Sequence, residues 1–341
     1  MNRIYTRLSP TLLHTGHMST LSTLSTAPHT LYRVGVVQMT ATDDRELNYH
    51  VCARLVHQAA RQHVQFLSFP ECFHFIGGGP TTLGSIDIAE PLDGETIQKY
   101  QTLAKENNMN LSLGGFQERS PDPTKVYNTH VVIDSLGNIV QRYRKIHLFD
   151  YAAGGLMESS FTLPGDDIKT VGGEGASSSK EIPLTIGLST CYDLRFPEMY
   201  QRLRQLHSKI ILIPSAFTMR TGVAHWETLL RCRAIETQCF VVAAAQAGQH
   251  NEKRTSYGHA LIVDPWGTIV AEGKGVGVEE EGKGKGKGKG KGKGKGKVIH
   301  HEQLLVADLN MELLESVRAK MPIMSHKRYD VYGGNEEGGK Q

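Results

Sequence analysis

Short apolar runs alternate with helical periods along this chain, and that alternation limits its fold more than any other feature. YRVGVVQM, from Tyr32, is rich in β-branched residues and reads as a buried strand. A helical period follows through Leu47, Val51, Leu55, Val56 and Ala59. VQFLSFPE is a second strand, Thr96 to Asn107 a second helix, and NLSLGGFQE a third strand. Further on, IPLTIGLST, FPEMYQRLRQLHS, KIILIPSAF, HWETLLRCRAIET and CFVVAAAQ repeat the order strand, helix, strand, helix, strand. Two hairpins interrupt the alternation, turning at Ser135-Leu136-Gly137-Asn138 and at Asp264-Pro265-Trp266-Gly267, sequences of turn-forming composition. Alternation predicts an α/β fold, and the hairpins make its sheets mixed rather than purely parallel. Two sheets with helices outside are the simplest solution, and Ala152 to Lys180, rich in Gly and Ser, reads as a loop.

With 341 residues, 39% of them hydrophobic, the chain can bury one large core or two smaller ones. No apolar run approaches the roughly 18 to 20 residues needed to span a bilayer, so no membrane partner is expected. The formal net charge of +3 includes eight lysines from the Gly-Lys tract at 282–297, so the rest of the chain is acidic by five charges. An acidic body with one basic appendage argues against nucleic acid as a main partner. Between two apparent strands, the tract reads as a solvated loop; contact with an acidic partner or membrane surface is the alternative. Cys52, Cys72, Cys191, Cys232 and Cys239 are odd in number and lack paired ligand spacing, which favours free thiols in a reducing compartment and no metal. No cofactor is expected. Residues 1–30 carry Arg3 and Arg7 and no acid. That composition fits a mitochondrial transit peptide or a disordered leader, and Met18 offers a second start, so the location is cytoplasmic, mitochondrial or both. The expected division is a leader at 1–30, one domain at 31–332 and a tail at 333–341.

Three ionisable residues follow apolar runs. Glu71 ends the second strand, Lys145 ends the first hairpin, and Cys191 ends IPLTIGLST. Side chains at strand ends of layered α/β folds face the crevice where ligands bind. An acid, an ammonium and a thiol meeting there suit hydrolysis of a carbon–nitrogen bond through a thioester, with the carboxylate as base, the thiolate as nucleophile and the ammonium beside the oxyanion. A buried Lys145 needs carboxylate neighbours to stay charged; Glu71 and Glu158 are the candidates. The plainer alternatives are a thiol that merely packs, a capping Glu71 and a surface Lys145 beside Arg142 and Arg144. Cys72 rivals Cys191 because it adjoins Glu71, whereas Cys52, Cys232 and Cys239 read as packing residues. Asp193 and Arg195 are expected to pair and fix the turn after Cys191.

FPECF around Glu71, YRKIHLFD around Lys145 and STCYDLRFPE around Cys191 resemble, in this order, the three signature segments of the nitrilase superfamily of carbon-nitrogen hydrolases. The resemblance runs from about Tyr32 to Tyr332 and implies a four-layer α-β-β-α sandwich that assembles into homo-oligomers. It also implies that Glu71 is the general base, Lys145 the oxyanion-stabilising residue and Cys191 the nucleophile. The Tyr192 backbone N–H is then the second oxyanion donor. SAFTMRTGVAHWETLLRCRAIETQCFVVAAAQAG and EKRTSYGHALIVDPWGTIV are similar to the branch of animal amidases that act on deaminated glutathione. That likeness implies a small-molecule amide substrate, cleaved to 2-oxoglutarate and Cys-Gly in metabolite repair. An omega-amidase acting on 2-oxoglutaramate shares the triad, so pocket segments such as Tyr151 to Met157 and Thr218 to His225 must separate the two. A catalytically silent scaffold is the reading from another class.

Overall fold

The computed structural model describes residues 31–78, 84–151, 156–173, 181–275 and 301–332. The leader, the Gly-Lys tract at 282–297 and the tail at 333–341 lie outside them. Strand β1 (Leu31–Met39), helix α1 (Arg45–Arg61), β2 (Phe66–Phe69), α2 (Glu95–Glu106) and β3 (Asn110–Arg119) follow in the expected order. The first hairpin supplies β4 (Val126–Ile133) and β5 (Ile139–Arg144). β6 (Asp150–Tyr151) precedes the span read as a Gly/Ser loop, and that span contains short pieces: β7 (Leu156–Met157), a 3-10 turn at Glu158–Ser160, β8 (Thr162–Leu163) and β9 (Thr170–Val171).

The second half repeats the plan with β10 (Ile186–Leu188), α3 (Pro197–Gln205), β11 (Ile210–Leu212), α4 (Met219–Thr237) and β12 (Phe240–Ala243). CFVVAAAQ, read as one strand, is two: the chain crosses at Ala244 into β13 (Ala245–Gln249), which belongs to the other sheet. β14 (Thr255–Tyr257), the hairpin β15 (Leu261–Val263) and β16 (Ile269–Glu272), β17 (Gln303–Asn310), α5 (Met311–Lys320) and α6 (Tyr329–Tyr332) complete the described chain.

Nine strands form one sheet in the order β14-β13-β1-β2-β3-β4-β5, with β17 antiparallel to β1 and β8 beside β4. Six form the other, in the order β16-β15-β12-β11-β10-β9. The nine-stranded sheet holds four parallel strands (β13-β1-β2-β3) and the six-stranded sheet three (β10-β11-β12), each with an antiparallel hairpin at one flank. The two sheets thus share one design, and both are mixed.

Side-chain alternation assigns the layers. From β1 and β2, Val34, Val36 and Phe66 enter a core shared with Leu188, Ile211 and Val241 of the six-stranded sheet and with Leu203, Trp226 and Leu230 of α3 and α4. Met39, Leu67 and Phe69, on the opposite face, pack against Leu55 and Val56 of α1 and Ile97 and Leu103 of α2. The result is helix, sheet, sheet, helix: the four-layer α-β-β-α sandwich expected. Among the described residues no helix is long and apolar enough to cross a membrane.

Candidate active site

Cys191 sits where β10 breaks into a 3-10 turn, Cys191–Arg195, with a left-handed φ of 49°. A non-glycine residue there carries strain that its surroundings must hold. The Cys191 N–H donates to Pro214 O at 2.9 Å, beyond the end of β11, and the residue as a whole is half-buried. With the Cys191 amide engaged, the next N–H, that of Tyr192, begins the turn, where an amide lacks a partner within the turn itself.

Glu71 and Lys145 arrive from the nine-stranded sheet. Lys145 is 2% exposed and Glu71 5%, so Lys145 is no surface lysine; its neighbour Arg144 turns away to grip Glu118 with two hydrogen bonds, 2.9 and 2.6 Å. Lys145 Nζ donates to Glu71 Oε1 at 3.1 Å and to Glu158 Oε1 and Oε2 at 3.1 and 2.8 Å. Glu158 is thus the second carboxylate that a buried ammonium needs. The Phe149 N–H fixes it at 2.7 Å.

Two groups escaped the sequence reading. Asn128 Nδ2 donates to Glu71 Oε1 at 2.9 Å and to Glu158 Oε1 at 3.3 Å, bridging both carboxylates. Its place opposite Gln117 in the β3–β4 register brings it there. Gly115 lets β3 pass against the acid: a Cβ would lie 3.0 Å from Glu71 Cγ and 2.9 Å from Asn128 Oδ1. The doublet LGGF looked like ordinary strand sequence; close backbone approach was the signal.

Asp193 and Arg195 do not pair. Asp193 is fully buried and accepts from Tyr143 Oη (2.6 Å), the Thr190 N–H (2.8 Å), the His147 N–H (3.2 Å) and His147 Nδ1–H (2.7 Å). A side chain with four donors around it has no place for a solvent-facing guanidinium. Arg195 instead contacts His225 Nδ1 at 3.2 Å and lies over the rings of Tyr192 and Phe217. Asp193 therefore clamps the Cys191 turn of one sheet to the Lys145 end of the other. Asp193→Ala leaves the Tyr143 hydroxyl and two backbone amides without their acceptor, so a loss of about 3 kcal/mol or more is expected in urea unfolding.

Burial acts on all three groups, and charge decides where each ends. Burial alone pushes Glu71 up, but the Lys145 charge and hydrogen bonds from Cys191 and Lys145 outweigh it and hold Glu71 below the usual carboxylate range. Burial lowers Lys145, but Glu158 and Glu71 drive its pKa well above the usual value. Burial and the Glu71 charge raise the Cys191 thiol well above 9.0, against Lys145 and the Ala216 amide. At neutral pH the resting cluster is carboxylate, ammonium and thiol. Such a carboxylate can take the thiol proton as the sulfur attacks, which separates the charges only when a carbonyl is present. Cys72, the rival, is pushed up to about 12, first by burial and then by Glu71. The segment Thr218 to His225 is the capped start of α4, not a loop, and of Tyr151 to Met157, residues 152–155 are outside the described set.

This sandwich, with acid, ammonium and thiol at the ends of strands from facing sheets, defines a hydrolase of carbon–nitrogen bonds that acts on amides. Residues 33–319 match the family model described as carbon-nitrogen hydrolase, and the chain belongs to that family, within the nitrilase superfamily. It is 41% identical over 309 residues to the deaminated glutathione amidase of Homo sapiens, covering 88% of this chain and 83% of the relative. The protein of the same name from Dictyostelium discoideum is 39% identical, with 89% and 96% covered. The crystal structure of the Caenorhabditis elegans NitFhit protein superposes with a TM-score of 0.72 at 38% identity, over 89% of this chain and 66% of that one.

Proposed function

We propose that the protein is a thiol amidase that hydrolyses deaminated glutathione to 2-oxoglutarate and Cys-Gly. The carrying observation is the cluster itself, an ionised Glu71 beside the Cys191 thiol with Lys145 held charged by two carboxylates. Cys191 Sγ attacks the amide carbonyl while its proton passes to Glu71. The oxyanion forms between Lys145 Nζ and the Tyr192 N–H. The carbon–nitrogen bond breaks as Glu71 returns the proton to the departing amine, leaving a thioester on Cys191. Water, deprotonated by Glu71, attacks the thioester; the carbon–sulfur bond breaks and the thiol regains its proton from Glu71. Glu158 and Asn128 hold Lys145 and Glu71 in place.

The acyl product is a 2-oxo acid, whose carboxylate calls for a cation near the nucleophile. Arg195 supports this role, since it stands four residues after Cys191 and forms no ion pair with an acid among the described residues. The names of the relatives at about 40% identity support the substrate choice. Omega-amidases use the same chemistry on 2-oxoglutaramate, so kinetics decide. The expected result is a kcat/KM for deaminated glutathione well above that for 2-oxoglutaramate. Dominant turnover of the smaller amide overturns the substrate assignment, and turnover of neither, with Cys191 inert to thiol reagents, returns the protein to a scaffold.

A further inference from the structure

The two candidate amides differ in what leaves. Deaminated glutathione releases a dipeptide with its own carboxylate, whereas 2-oxoglutaramate releases ammonia. The amine must depart on the side of the group that protonates it, which in the proposed mechanism is Glu71. The surroundings of Glu71 away from Lys145 therefore decide what the enzyme can read in a leaving group.

β13 and its connection to β14 pack against the backbone at and after Glu71. Gln246 Nε2 donates to Glu71 O at 3.0 Å and to Cys72 O at 3.3 Å. His250 donates through Nδ1–H to Ala41 O at 2.7 Å and accepts at Nε2 from Ser256 Oγ at 2.8 Å; burial keeps it neutral, at about 4. Asn251 Nδ2 reaches Gly77 O at 3.3 Å, and Asn251 Oδ1 accepts from the Lys253 and Arg254 amides, both at 3.0 Å. The His250 N–H closes the turn on Arg254 O at 2.9 Å. The backbone of Arg254 is thus tied to the segment that follows Glu71. Its side chain is exposed, and no carboxylate pairs with its guanidinium among the described residues. The Arg254 charge is felt at Glu71, Cys72 and His250. A fixed backbone, an exposed and uncompensated guanidinium, and nearness to the acid that faces the departing amine make a carboxylate receptor.

We propose that Arg254 binds the terminal carboxylate of the departing dipeptide, and so selects the leaving group, as Arg195 would the acyl group; this rests on the thiol amidase reading above. In this proposal the two cations flank the scissile bond, Arg195 from the turn of Cys191 and Arg254 from the segment tied to the backbone after Glu71. A substrate with two carboxylates uses both. One that releases ammonia offers Arg254 nothing.

The test uses the full-length enzyme, Arg254→Gln and Arg254→Lys, with three amides: deaminated glutathione, the same compound with its glycine carboxylate converted to a primary amide, and 2-oxoglutaramate. Arg254→Gln is expected to lose about 10- to 100-fold in kcat/KM on deaminated glutathione, chiefly through KM, the range of a charged hydrogen-bonded contact. Amidating the glycine carboxylate costs the wild type a similar factor, and the two changes together cost little more than either alone. Arg254→Lys retains part of the activity. An equal loss on 2-oxoglutaramate makes Arg254 an electrostatic neighbour of Glu71 and overturns the proposal, as do multiplying losses or no loss. If wild-type enzyme turns over neither 2-oxo amide, it is the underlying amidase reading that fails.

Discussion

Cys191→Ala removes amide turnover, by about ten-thousand-fold or more in kcat, and leaves the fold in place. In the proposed mechanism no thioester forms without the sulfur, and the carboxylate and ammonium that remain can only polarise a bound amide. The fold survives because Cys191 holds its neighbours through the backbone: its N–H donates to Pro214 O, a bond that alanine keeps. Alanine at a φ of 49° bears the same left-handed strain that cysteine does. The measurements are product release from deaminated glutathione and 2-oxoglutaramate, with the thermal unfolding midpoint as control. A variant retaining more than about 1% of wild-type kcat, far above the residue left when a nucleophile is deleted, excludes Cys191 as the nucleophile. Cys72 then becomes the thiol to delete next.

How far such a site is legible in sequence depends on what positions each residue. Glu71, Lys145 and Cys191 stand out because each is an ionisable residue closing an apolar run, and strand ends are where α/β sandwiches keep their clefts. Asn128 does not, because only the register of β4 against β3 brings it between two carboxylates. The Asp193–Arg195 pair was a reasonable reading of neighbours two apart. It fails because Asp193 turns inward to Tyr143 on β5 of the other sheet and to His147 in the segment that follows it. α4 begins earlier than expected for a similar reason. Gly222 looks like a helix breaker, but the Tyr257 ring presses on the helix there, and a Cβ would lie 2.2 Å from Tyr257 Cγ. CFVVAAAQ is apolar throughout, so no period in it could mark Ala244 as the crossing between sheets.

Lys145→Met separates the catalytic and structural roles of the cluster by pH. Methionine keeps most of the volume but leaves Glu71 and Glu158 buried side by side without a cation, so a stability loss of about 3 to 5 kcal/mol is expected near neutral pH. In the proposed mechanism the variant also lacks an oxyanion donor, so turnover is expected to fall by about a hundred- to a thousand-fold or more. In the wild type, the Lys145 pKa is raised, so its contribution is present below 10.5 and lost as pH rises through the higher folded value. Glu71 is depressed, so its contribution is present above 4.5 and lost as pH falls through the lower folded value. In the variant, burial acts on Glu71 without the Lys145 charge and hydrogen bond, opposed only by the Cys191 hydrogen bond and the weaker Arg254 charge, and raises it, so the penalty applies above that raised value and disappears as the acid protonates. Both wild-type contributions are present in full between 4.5 and 10.5, so between pH 8 and pH 5 only the variant's penalty changes, and it fades as pH falls. Denaturation in urea should therefore show a wider gap between the two proteins at pH 8 than at pH 5. Lys145→Met with Glu158→Gln removes one of the stranded charges, and should recover stability without activity. An equal gap at both pH values would mean that packing rather than charge holds Lys145 in place, and the resting carboxylate, ammonium and thiol assignment would fall with it.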